Sequence, residues 1–190
     1  MASVYLLGLD IGTTGVKSLL LRSDGHVAAT HVEEYPLLLP RPGWAEQDAE
    51  EWWVASARAS RVLLERSRIS PGQVAGISFS GQMHGLVCLD ADHQPLRPAI
   101  LWCDQRTTEE CRLITRKIGF KRLLRLVGNP ALQGFTLPKI LWVRRHEPEV
   151  YRKTRRMLLP KDFVRYRMTG KAAIAISDAA GTIALDIEKK

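Results

Sequence analysis

The stretch from Tyr5 to Leu21, YLLGLDIGTTGVKSLLL, constrains the fold more than any other part of the chain. An apolar run from Val4 to Leu9 delivers one carboxylate, Asp10, to the lip of a turn rich in Gly and Thr. A second run, Val16 and Leu19 to Leu21, leads away. The pattern is a hairpin with chemistry at its tip. Gly12 and Gly15 allow backbone N–H groups to turn outward toward an anion. Thr13 and Thr14 add hydroxyl donors and Lys17 adds a cation. Asp10 would repel bare phosphate, so a phosphate here requires a divalent metal or its water shell in between. The tip reads as a metal–phosphate holder, with an ordinary tight hairpin and a solvated Asp as the alternative. The GxGxxG and GxxxxGK[ST] patterns both fail on glycine spacing.

At 190 residues and 45% hydrophobic content the chain can bury a core of one or two domains. It carries no apolar run of membrane-spanning length, and Met1 to Tyr5 lacks a basic start and a cleavage region, so no membrane partner is expected. Three cysteines, Cys88, Cys103 and Cys111, fit no paired metal spacing and point to a reduced, cytoplasmic setting. The net charge of +8 is concentrated between Arg112 and Lys171, where Glu147, Glu149 and Asp162 are the only acids. Such a surplus raises nucleic acid as a partner. The cations are spread over amphipathic helices such as Lys139 to His146, without an aromatic platform or zinc spacing. A solvated helix surface is therefore the stronger reading, and no nucleic acid is expected.

Asp24-Gly25 marks a turn, and His26 to Tyr35 continues as a third strand. After a proline-rich excursion, Asp48 caps a helix, with Glu51 spaced as in a capping box. Trp52, Ala55, Ala59, Val62 and Leu63 form its buried stripe, up to the stop at Ser70-Pro71-Gly72. The apolar run Val74 to Phe79 then suits a central parallel strand covered on both faces. Three meandering strands, a crossover helix and a parallel fourth strand open a ribonuclease-H-like α/β domain. Its mixed sheet and flanking helices resemble those of the actin-like ATPases.

Ligands of such sheets bind beyond the carboxyl ends of strands, where this chain reads Ser80-Gly81-Gln82-Met83-His84-Gly85. The two glycines suit close approach of a small hydroxylated ligand. His84 is either a structural histidine or, at a strand end, a ligand. Leu86 to Leu89 and Ala99 to Trp102 form a further hairpin that exits through Trp102-Cys103-Asp104-Gln105-Arg106. Trp102 offers a flat face to a sugar skeleton, and Asp104 and Arg106 offer an acceptor and a donor fork. The alternative is a core tryptophan beside a surface ion pair. Four helices follow, at Thr108 to Lys117, Lys121 to Val127, Leu137 to His146 and Lys161 to Met168, before Asp178 to Leu185 returns to strand character.

The tip matches every fixed position of D-x-G-T-[TS]-x-x-K, the first phosphate loop of actin-like ATPases and sugar kinases. PGWAEQD with EEWW, ISFSGQMHG, LRPAILWCDQR, GNPALQGFTLPKILWVRRHEPEVY, LLPKDFVRYRMTG and SDAAGT follow in order. Together they resemble the FGGY family of carbohydrate kinases over essentially the whole chain. The resemblance implies ATP and Mg2+ as cofactors and Asp10 as the essential carboxylate, acting through magnesium by way of water. It places Gly12, Thr13, Thr14 and Lys17 near the transferred phosphate and makes Met83 and His84 a sugar-binding pair. Trp102 and Asp104 are secondary substrate contacts. GQMHG favours D-xylulose over glycerol, for which an Arg-Glu pair is expected. The family's catalytic base is an Asp downstream of SDAAGT, and a second domain carries most of the nucleotide site. Residues 1–190 are thus expected to be the N-terminal kinase domain, truncated before its end, without the C-terminal nucleotide-binding domain and inactive alone. Apolar faces uncovered by such a cut favour association, including a homodimer. The competing readings are a sibling kinase for ribulose or glycerol and a non-catalytic sugar-binding or actin-like module.

Overall fold

The computed structural model describes residues 4–189; residues 1–3, part of the stretch Met1 to Tyr5 expected to lack a basic start and a cleavage region, lie outside the described residues. Strands β1 (Tyr5–Ile11), β2 (Gly15–Arg22) and β3 (Val27–Glu34) meander antiparallel, as the hairpin pattern and the Asp24-Gly25 turn require. A two-residue strand β4 (Glu46–Gln47) leads into helix α1 (Ala49–Ser67), which Asp48 caps by accepting from the Glu50 amide at 2.9 Å. Strand β5 (Val74–Gly81) then pairs parallel with β1, completing a sheet of order β3-β2-β1-β5. This is the expected mixed sheet.

Alternation along β1 and β2 sends Leu7, Leu9, Ile11, Val16 and Leu20 to one face. There they pack with Trp52, Ala55, Ala59 and Leu63 of α1 and with Phe163 and Val164 of α6 (Pro160–Thr169). Small alanines on α1 let the helix lie close to the strands. Val62 is only half-buried. Gly8, Asp10, Lys17, Leu19 and Val32 lie around a depression on the opposite face, which no described helix covers.

That open face corrects the reading of β5. The strand is parallel and follows the helix, yet it is the edge of the sheet and alternates between half-buried and exposed. Among the described residues no further strand bonds to its outer edge.

The second half joins the same core through Val87, Leu89, Ala99, Leu101 and α6. Strands β6 (Val87–Leu89) and β7 (Ala99–Ile100) lie in contact but form no ladder with each other; a single bridge joins Leu86, just before β6, to Ile100. Each instead finds a distant partner, β6 in β8 (Arg156–Leu158) and β7 in β4, so the expected hairpin is split between two small sheets. Helices α2 (Thr108–Ile118), α3 (Phe120–Val127), α4 (Thr136–His146) and α5 (Pro148–Lys153) follow. The SDAAG segment is helical, α7 (Ile176–Gly181), rather than a strand. Ala179 and Ala180 are good helix formers, and the Ala179 amide bonds back to Ala175 O at 2.9 Å.

Candidate active site

One cavity of about 420 Å³ lies where β1 and β5 end side by side, lined by Asp10, Gly12, Thr13, Gln82, Met83, His84 and Trp102. The parallel register sets Asp10 beside Ser80, so the hairpin tip and the GQMHG loop emerge together. The tip closes on its own backbone at Gly12. Gly12 N–H donates to Asp10 O at 3.1 Å and to Gly15 O at 3.0 Å. Its donor is used inside the turn, which corrects the expectation that it faces outward. The Gly12 carbonyl accepts from the Tyr35 hydroxyl at 2.5 Å and from Gln82 Nε2 at 3.2 Å. Burial, with the Asp10 charge adding to it, pushes the Tyr35 hydroxyl well above its usual range, so it stays protonated as a donor.

Gln47 ties the tip to the helix. Its Nε2 donates to Thr13 O at 2.7 Å, and its Oε1 accepts from Trp52 Nε1 at 3.1 Å and from Gln82 Nε2 at 3.0 Å. Sequence reasoning missed Gln47 and Gln82. A polar side chain one residue before the helix-capping Asp48 was the available signal.

His84 lines the cavity with φ of 65°, a conformation that costs a non-glycine residue about 1–3 kcal/mol. Burial holds its imidazole below the usual range; the Gly181 backbone opposes this, the Lys139 charge adds to it, and Asp178 opposes it. The flanking glycines serve the protein's own packing, not a ligand. A Cβ on Gly81 would sit 2.7 Å from Ile11 O, and one on Gly85 would sit 2.6 Å from Pro160 Cγ.

The alternative reading of WCDQR, a core tryptophan beside a surface ion pair, is inverted, and of the first reading only Trp102 reaches the cavity. Trp102 is 48% exposed at the cavity, and its Nε1 donates to Thr13 Oγ1 at 3.0 Å. Asp104 and Arg106 form the buried element. The Asp104 carboxylate takes Arg106 NH2 at 2.7 Å and the Ala45 amide at 2.7 Å, while Arg106 reaches Glu46 at 2.7 Å and stacks 3.7 Å over Trp44. Asp104 therefore fixes the segment Trp44–Glu46 and does not line the cavity.

Asp10, Gly12, Thr13, Met83, His84 and Trp102 are thus brought together. Thr14 is exposed outside the lining. Lys17 pairs in register with Asp10 and borders the depression on the open sheet face. Asp10 is the only carboxylate lining the cavity, and no group of three or more His, Cys, Asp or Glu forms a metal cluster among the described residues.

Lys139 also departs from its reading as a solvated cation, since it is fully buried. Its Nζ donates to His84 O at 3.1 Å, to Phe135 O at 3.0 Å and to Gly134 O. Burial lowers its ammonium to about 7, against the attraction of Asp104, Cys103 and Cys111 and with a smaller push from Arg106. Its place in the exposed-looking run PKILWVRRH gave no local sign of this.

Residues 5–190 match the profile of the N-terminal domain of the FGGY family of carbohydrate kinases. The chain is 48% identical over 186 residues to the xylulose kinase of Bacillus subtilis strain 168, covering 98% of this chain and 37% of that protein. The crystal structure of a xylulose kinase from Rhodospirillum rubrum superposes with a TM-score of 0.92 at 27% identity, over 97% of this chain and 38% of that one. A gluconate kinase from Lactobacillus acidophilus superposes with a TM-score of 0.89 at 27% identity, over 98% and 37%. The chain spans about 37% of the length of the curated relatives it matches.

Proposed function

The chain belongs to the FGGY family of carbohydrate kinases, and from that premise we propose that it supplies the sugar site and first phosphate loop of an ATP:D-xylulose phosphotransferase. The observation that carries this reading is the shared cavity, with Asp10, Gly12 and Thr13 on one wall and Met83, His84 and Trp102 on the other. Phosphoryl transfer asks the protein mainly to position the attacking hydroxyl against the γ-phosphate and to compensate charge.

In this reading His84 and Met83 bind the ketose and Trp102 covers its carbon skeleton. The Thr13 and Thr14 hydroxyls and the Lys17 ammonium serve the phosphate side, with Lys17 approaching across the sheet face. A lone carboxylate beside hydroxyl donors fits Mg2+, which keeps most of its waters and takes one or two carboxylates together with substrate phosphates. When bound, the ion would neutralise charge on the phosphates. Asp10 would hold it through water. The base for the sugar hydroxyl and most of the ATP site are assigned to a second domain, so residues 1–190 act as the N-terminal domain. The setting is cytoplasmic, and no nucleic-acid or membrane partner is assigned.

The test is MgATP-dependent ADP release by the complete protein carrying this domain, with D-xylulose, D-ribulose, glycerol and gluconate compared. A clear preference for D-xylulose is expected. Preference for another substrate keeps the kinase but overturns the specificity, and no turnover with any of them favours a sugar-binding module.

A further inference from the structure

We propose that Lys139 and Gly181 are positioning residues for His84, fixing its carbonyl from one end and its ring from the other so that the imidazole stays on the cavity wall. The inference rests on the reading of His84 as a sugar ligand.

Gly85 N–H donates to Met83 O at 2.9 Å, closing a three-residue turn with His84 at its centre and φ of 65°. Such a turn persists only where the surroundings over-determine it. The His84 carbonyl is held by two donors, Thr136 Oγ1 at 3.2 Å and Lys139 Nζ at 3.1 Å. An ammonium has three N–H donors, and Lys139 meets three carbonyls, those of His84, Gly134 and Phe135. Every donor is used, so the cation has one arrangement. It also fixes Phe135, whose ring packs edge-on against the His84 imidazole with centroids 4.9 Å apart.

Gly181 closes the other side. A Cβ there would lie 2.5 Å from His84 Cε1 and 2.8 Å from Nδ1, so only glycine leaves room for the ring. His84 Nδ1 is buried beside this backbone and makes no hydrogen bond of normal geometry. Helix α7 is anchored by Lys161, whose Nζ lies 2.6 Å from Asp178 and 3.2 Å from Asp162, both buried. The PKD and SDAAG segments line no part of the cavity. Their role in this proposal is to set the distance from Gly181 to the imidazole.

The test records the His84 Cε1–H resonance by NMR in the complete protein carrying this domain, together with calorimetric titration of D-xylulose into the same protein. In Lys139→Met and Gly181→Ala the ring resonance is expected to shift, with D-xylulose binding weakened about tenfold, as for one lost buried hydrogen bond. Thr136→Val should shift it in the same direction, and Thr136→Ser, which keeps the hydroxyl, should restore both readouts. An unshifted resonance in folded Lys139→Met or Gly181→Ala overturns the proposal. Should Lys139→Met fail to fold, Gly181→Ala and the Thr136 pair decide. A complete wild-type protein that binds no D-xylulose while the variants still shift the resonance would sink the sugar-site reading and leave the positioning intact.

Discussion

Trp102 Nε1 donates a 3.0 Å hydrogen bond to Thr13 Oγ1, joining the proposed sugar wall of the cavity to the phosphate loop. Trp102→Phe keeps a flat apolar face but removes the donor. In the complete enzyme kcat/KM for D-xylulose should fall about threefold to tenfold, the loss expected for one partly exposed hydrogen bond. Unchanged kinetics would mean that the bond does not couple the two walls.

Asp104 separates a structural role from a catalytic one. Removing Asp104 leaves the buried Arg106 guanidinium with Glu46 as its remaining carboxylate and the Ala45 amide without its acceptor, so Asp104→Ala should cost about 3 kcal/mol of stability. Thermal denaturation measures the loss. D-xylulose affinity well below the midpoint should stay near wild type, and lost affinity at unchanged Tm would return Asp104 to the ligand.

For Asp10 the expectation is the reverse. Asp10→Ala in the complete enzyme should reduce turnover about 10²- to 10³-fold, as for loss of a charge-stabilising group, while D-xylulose affinity is retained. The Tyr35 hydroxyl gives a second readout in this chain. Part of its upward shift comes from Asp10, so its titration should move down, though burial still holds it above the usual range. Parallel loss of sugar affinity would place Asp10 in the sugar pocket or the fold.

The buried Lys139 predicts a pH-dependent stability. Its ammonium titrates at about 7 in the folded chain against a usual 10.5. Between these values the unfolded chain binds the extra proton, so its contribution makes stability rise with pH from about 7 toward 10.5. Urea unfolding of wild type and Lys139→Met across this window should show a shallower rise in the variant. Parallel curves would rule out Lys139 as the source.

Much of the fold was legible along the chain because its signals are local. Apolar runs wrote β1 and β2, alternation β3, Asp24-Gly25 the turn, Asp48 the cap and the Trp52-Ala55-Ala59-Leu63 stripe the buried face of α1. The tip motif, the strand-end loop and the WCDQR stretch singled out Asp10, Thr13, Met83, His84 and Trp102 separately, and the fold brings them to one cavity. What failed was non-local. β6 and β7 looked like a hairpin because they are close in sequence, but their ladders are completed by β8 and β4.

The sequence by itself determined the meander, the crossover helix and the single carboxylate at the turn, since φ/ψ preference and side-chain period act over a few residues. Only the tertiary structure decided which charges are buried and which face the cavity. Arg106 and Asp104 are buried against Glu46 and Ala45, and Lys139 ends on the His84 carbonyl 55 residues away. A charge leaves water only where such distant partners replace its hydration, and no local spacing records where those partners will be.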